Sequence, residues 1–139
     1  MIVVDTNVLS EEMKAAPDAP VDAWFRRQRP NELFTTTICE AEILLGVALL
    51  PDGQRKRELG AAAQKIFALF ASRILPFDSA AAAAYADIVA ERRRMGRPID
   101  GFDAQIAAIA RSRGLALATR NVADFEDIGL SIVNPWAGS

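Results

Sequence analysis

Two features of the chain predict an α/β protein, a three-layer α/β/α sandwich around a mainly parallel sheet. Short apolar, β-rich runs alternate with longer stretches of helical spacing. Hydrophobic residues make up 51% of the 139 positions, enough to build a core, and no repeat, Gly/Ser linker or composition break divides residues 1–139, so one domain is expected.

Ile2-Val3-Val4 reads as a buried opening strand. Thr6 to Met13 and Val21 to Arg27 read as helices separated by the Pro17 to Pro20 break, and threonine-rich Leu33 to Ile38 reads as a second strand. A helix follows from Cys39 to Leu50, ended by the Pro51-Asp52-Gly53 turn signal. Gln54 to Ala71 returns to helix, with Leu59, Ala62, Ala63, Ile66, Leu69 and Phe70 as its apolar positions. Ile74 to Phe77 reads as a short edge strand. Ser79 to Met95 is an alanine-rich helix capped by Ser79 and stopped at Gly96, and Asp100 to Arg113 is another that ends at Gly114. Leu115 to Thr119 and Ser131 to Val133 supply the last strands.

Composition removes several chemistries. The chain has no histidine, which excludes a histidine general base, a Ser-His-Asp triad and a histidine-ligated metal. Lys14, Lys56 and Lys65 are the only lysines, so most cations are arginines, suited to phosphate and carboxylate forks. The 16 basic and 18 acidic residues give a net charge of −2, which does not advertise nucleic acid. The lone Cys39 reads as a buried structural thiol in a reducing compartment. No apolar run reaches the length of a membrane span and the N-terminus has no basic leader, so a cytoplasmic protein without a membrane role is expected.

Ligands of parallel α/β folds gather beyond the carboxyl ends of the strands, and the acids at those places are the candidates. Asp5 leaves the first strand directly, where it serves equally as a helix N-cap. Thr37 and Glu40 have capping-box spacing, which gives Glu40 an ordinary structural role. Glu42 lies in line with Ile38, Leu45 and Leu49, so its charge needs a partner unless it reaches solvent at the stripe's edge. Asp100 and Asp103 have the spacing of a cap and its third-position carboxylate, and Asp103 begins the small-residue helix. Asn121 and Asp124 follow another strand exit and repeat that spacing. Carboxylates gathered without histidine or cysteine suit Mg²⁺ or Mn²⁺ held partly through water. A hydrolase so built draws its nucleophile from metal-activated water.

Four ordered segments carry a resemblance to a known family: Ile2 to Ser10 with its Asp5-Thr6-Asn7, Glu40 to Gly46, Phe102 to Ala108, and Ala118 to Asn121. They resemble the motifs of PIN-domain proteins, with the strongest likeness to VapC-type toxins of the FitB-like branch. The likeness extends through Pro76-Phe77-Asp78 and Val133 to Trp136. It implies a Mg²⁺- or Mn²⁺-dependent endoribonuclease, a homodimer, restrained by a VapB-like antitoxin through which alone it meets DNA. Asp5, Glu42 and Asp103 match the family's catalytic, metal-holding acids; the fourth place falls to Asn121 or Asp124. Thr6, Asn7 and Thr119 are expected to support the ligands without binding metal. An antitoxin segment is expected along the first two helices, with Trp24 and Phe25 as apolar anchors unless both are core residues, and with an arginine reaching the acids.

Other classes fit less well. A dehalogenase-type phosphatase needs an acid where Asn7 stands, a phospho-receiver needs a lysine after Lys65, and a Walker loop is missing. A catalytically weak binding module that acts through its antitoxin is the alternative. The basic clusters Arg26-Arg27 with Arg29, Arg55-Lys56-Arg57, and Arg92-Arg93-Arg94 with Arg97 are candidates for phosphate contact, or are solvated helix faces.

Overall fold

A computed structural model describes residues 1–137; the last two residues of the expected domain span lie outside the described residues. The chain runs β1 (Ile2–Val4), α1 (Thr6–Glu12), α2 (Ala19–Arg27), β2 (Leu33–Thr36), α3 (Thr37–Ala48), α4 (Gln54–Phe70), β3 (Ile74–Leu75), α5 (Ser79–Arg94), α6 (Gly101–Ser112), β4 (Ala116–Ala118) and β5 (Ile132–Val133). Short 3₁₀ turns at Pro30–Glu32, Ala71–Arg73, Val122–Phe125 and Pro135–Ala137 join them.

The strands form one sheet in the order β3-β2-β1-β4-β5, and every pairing is parallel. Val3 and Val4 point to opposite faces of β1 and both are fully buried, so helices cover the sheet on both sides and the three layers follow. After β1 the chain builds outward through β2 and β3; later it returns to place β4 and β5 on the other flank. The reversal makes a crevice beyond the carboxyl ends of β1 and β4. Ile2 pairs with Leu33 on one side and Ala116 on the other, which fixes the height at which Asp5 and Thr119 emerge. Under this edge lies α6, whose Ala104, Ile106, Ala107, Ala108, Ile109 and Ala110 are fully buried; small side chains let the helix approach the sheet and α5 closely.

Several element edges differ from the sequence reading, β3 for one stopping at Leu75 and not Phe77, and three of the differences have a clear local reason. Thr36 still pairs with Leu75 in extended conformation, so β2 ends there and Thr36, not Thr37, caps α3 by accepting from the Cys39 N–H at 3.1 Å. Glu40 therefore stands one position beyond the capping-box place. Asp78, not Ser79, caps α5, accepting from the Ala81 N–H at 3.0 Å. Helix α2 begins at Ala19, because Pro20 fits in its first turn, where no N–H is needed. The stop signals hold: Gly96 and Gly114 take φ of 69° and 66° just past their helices.

Candidate active site

Asp5 is built into the switch point by both of its neighbours in the fold. Its backbone N–H donates to the Ala118 carbonyl at 2.9 Å, extending the β1–β4 pairing by one residue. Its Oδ1 accepts from the Thr6 N–H at 2.8 Å as the cap of α1, so the cap role and a site role are held by different oxygens. Oδ2 accepts from the Thr119 hydroxyl at 2.7 Å and from the Asn7 amide at 3.4 Å. Asp5 as a whole is 4% exposed. Burial pushes its pKa up, the bonds from Thr119 and Thr6 oppose that, and the charges of Glu42 and Asp124 raise it further.

The other two acids arrive from separate helices. Glu42 projects from the second turn of α3, half-buried, with Oε1 accepting from the Thr6 hydroxyl at 2.8 Å. Asp103 lies in the first turn of α6, whose cap, Asp100, accepts from the Phe102 and Asp103 N–H groups at 3.1 and 3.4 Å. Its carboxyl is pushed up to about 7, first by burial and then by the charges of Asp5, Asp100, Asp124 and Glu42. Asp5, Glu42 and Asp103 line one open pocket of about 410 Å³, together with Thr6, Asn7 and Asn121. Asp124 is exposed on the Val122–Phe125 turn and acts on Asp5 and Asp103 through its charge. Asn121 makes no side-chain cap for that turn. Thr119, fully buried, also accepts from the Asn121 N–H at 3.1 Å, and Asn7 Oδ1 accepts from the Arg120 N–H at 3.3 Å.

The donors available in this pocket are oxygens, and their mutual repulsion asks for a cation; this fits a hard ion such as Mg²⁺ or Mn²⁺. Among the described residues no three Asp, Glu or Cys side chains are already gathered to hold an ion by themselves. An ion that keeps part of its water shell suits so open an arrangement. Cys39 takes no part: it is fully buried, donates its S–H toward the Val4 carbonyl at 3.8 Å, and burial pushes it up to about 11.

Several expectations are corrected. The Ile38–Glu42–Leu45–Leu49 stripe is not a core face: Leu45 and Leu49 are 55% and 75% exposed, and α3 packs inward through Cys39 and Ile43. Apolar residues on both the buried and the exposed sides of α3 leave its period without a single face to report. Arg92 is not a phosphate-facing cation; it is 4% exposed and donates to the carbonyls of Arg97, Asp124 and Glu126 at 2.7, 2.9 and 3.3 Å. Arg97 pairs with Asp127 at 2.9 Å, and Arg26 with Asp22 at 2.8 Å. Trp24 belongs to the core at 6% exposed and offers no surface anchor. Phe25 is half-buried, edge-on to Phe70, and lines a cavity of about 420 Å³ with Glu12, Ile66 and Leu69. Five residues that line the acidic pocket went unassigned by sequence reasoning: Ser10, Glu11, Lys14, Arg120 and Trp136. The position of Arg120 at a strand exit was the available signal.

The PIN domain model matches residues 2–129. A VapC ribonuclease, Y4jK, of Sinorhizobium fredii is 41% identical over 137 residues, covering 98% of each chain. The crystal structure of FitAcB from Neisseria gonorrhoeae superposes with a TM-score of 0.91 at 39% identity, over 98% of this chain and 99% of that one. A DNA-bound VapBC from Salmonella typhimurium follows with a TM-score of 0.79 at 28% identity, over 96% and 97%.

Proposed function

Because the chain belongs to the PIN-domain family, we propose that it is the toxin of a toxin–antitoxin pair and cuts RNA phosphodiester bonds as an endoribonuclease. The observation that carries this reading is the convergence of Asp5, Glu42 and Asp103, 98 residues apart at the extremes, on one pocket at the sheet's switch point in a chain without histidine. In this reading Asp5, Glu42 and Asp103 hold Mg²⁺ or Mn²⁺, with Asn121 or Asp124 at the fourth place. The bound ion supplies an activated water and offsets charge on the phosphate. Thr119, Asn7 and Thr6 fix Asp5 and Glu42 in place, so that little reorganisation is left for the reaction. Asp103, whose carboxylate accepts no hydrogen bond among the described residues, would complete the ligand set from the start of α6.

A VapB-like antitoxin restrains the enzyme, its chain running past Phe25 and the apolar cavity between α1, α2 and α4, with an arginine directed to the acids. Contact with DNA belongs to that antitoxin. The exposed Leu44 and Leu45 on α3, with Leu49 just past its end, are the face we assign to a homodimer. No helix among the described residues is long and apolar enough to cross a membrane, and we place the pair in the cytoplasm.

Cleavage of structured and unstructured RNAs by the protein freed of its antitoxin, with and without Mn²⁺, tests the reading. Divalent-dependent cleavage is expected, reduced about 10²-fold or more by Asp5→Asn or Asp103→Asn. Glu42→Gln should lose far more than Glu40→Gln. Unchanged cleavage in both aspartate variants overturns the assignment. Calorimetry decides the fourth place: tighter Mn²⁺ binding in Asn121→Asp assigns it to Asn121, whereas weaker binding in Asp124→Asn alone assigns it to Asp124.

A further inference from the structure

An RNA strand approaching Asp5, Glu42 and Asp103 meets like charge, so something at the pocket has to receive a phosphate. Two cations line the pocket, Lys14 and Arg120. Lys14 is committed to Glu11, its Nζ 2.9 Å from Oε1. Arg120 is exposed and makes no ion pair among the described residues. It is nonetheless held. Its backbone N–H donates to Asn7 Oδ1 at 3.3 Å, which fixes the main chain, and its guanidinium carbon lies 5.0 Å from the centre of the Trp136 ring. The ring is fixed in turn, with Nε1–H donating to Asp18 Oδ2 at 3.1 Å and its backbone N–H to Asn134 Oδ1 at 3.0 Å.

Stacking on an indole face restrains a guanidinium without using its N–H edge, and a planar fork matches phosphate oxygens. The stack also joins the exit of β4 to that of β5, so the fork is placed by the sheet and not by a loose loop. We propose that Arg120, stacked on Trp136, binds a phosphate of the RNA strand and lays that strand across Asp5, Glu42 and Asp103. This rests on the nuclease reading. Trp136 is then a positioning residue, acting through Arg120. The other role open to Arg120, simple neutralisation of the acids, makes opposite predictions.

The test uses the full chain, freed of its partner, and a short single-stranded oligoribonucleotide carrying a fluorophore and a quencher, at saturating Mn²⁺ over a range of KCl. Arg120→Met should raise KM about 10-fold with kcat changed much less, as expected for one lost charge-assisted contact. The dependence of log KM on log[salt] should become shallower by about 0.7, the contribution of one phosphate contact to a single strand. Trp136→Ala should share the KM defect, and Trp136→Phe should recover at least half of it. An unchanged KM in Arg120→Met, or a raised KM with an unaltered salt slope, overturns the proposal. So does tighter Mn²⁺ binding in Arg120→Met with KM intact, the signature of neutralisation. Should the wild type bind the oligonucleotide by fluorescence anisotropy without cutting it, the nuclease reading falls, and the same salt-slope criterion applied to Kd decides Arg120. Wild-type protein that neither binds nor cuts RNA overturns both.

Discussion

In the proposed site, Asp103 is the side chain that would trade stability for chemistry. Its carboxyl titrates near 7 in the fold and near 3.8 outside it, so between these values the folded chain binds more protons than the unfolded one. The contribution of Asp103 to stability without metal is therefore least unfavourable in acid and worsens as pH rises from about 4 towards 7. Asp103→Asn removes this loss. In EDTA at pH 7.5 the variant should be more stable by about 1 kcal/mol, the shift being discounted because the group is half-buried and screened by water. That is roughly 3 °C in Tm, vanishing near pH 4. A variant that melts lower at pH 7.5, or whose advantage persists unchanged in acid, would contradict this account. Mn²⁺ should reverse the order, because it stabilises only the protein that retains the carboxylate.

At the scale of elements, the Val122–Phe125 turn owes its place to Arg92 of α5. Three carbonyls depend on that one buried guanidinium, which also sits favourably in the last turn of its helix. Arg92→Met should cost about 1–2 kcal/mol by removing the one buried donor that these three carbonyls share. Faster amide exchange should be confined at first to residues 121–127, measured by hydrogen exchange with mass spectrometry; uniform exchange across the chain would show that the arginine is a general core member only. The sequence could not disclose this role, since Arg92-Arg93-Arg94 reads as one solvated run until helix phase and a distant turn single out one member. Asp5, Glu42 and Asp103 were legible for a local reason: each stands where a strand ends or near the start of a helix, and those ends face one crevice in a parallel sheet. The Arg120–Trp136 stack is a relation between two strand exits and has no local signature. Cap assignments slipped by one at Thr36 and Asp78 because a neighbouring threonine or serine offers the same hydroxyl, and only sheet pairing or the local backbone turn decides between them.

Across the whole molecule, the net charge of −2 and the commitment of Arg26, Arg92 and Arg97 to internal partners take members out of two of the three basic clusters, which puts weight on single placed contacts. The exposed Leu44, Leu45 and Leu49 line neither the cavity beside Phe25 nor the acidic pocket, which adjoin at Lys14, so a second copy seated on those leucines need not compete with an antitoxin that spans the other two. The turn at 51–53, with Asp52 exposed to water, divides the site in an unusual way. Ahead of it lie β1, β2, Asp5 and Glu42; behind it lie β3, β4, β5, Asp103, Arg120 and Trp136. The β1–β4 and β2–β3 pairings both cross that point. Two genes, one for each side, should thus behave as a logical AND: growth arrest only when both halves are made in one cell and reassemble across the sheet. Arrest by either half alone would mean that toxicity does not require the assembled carboxylates.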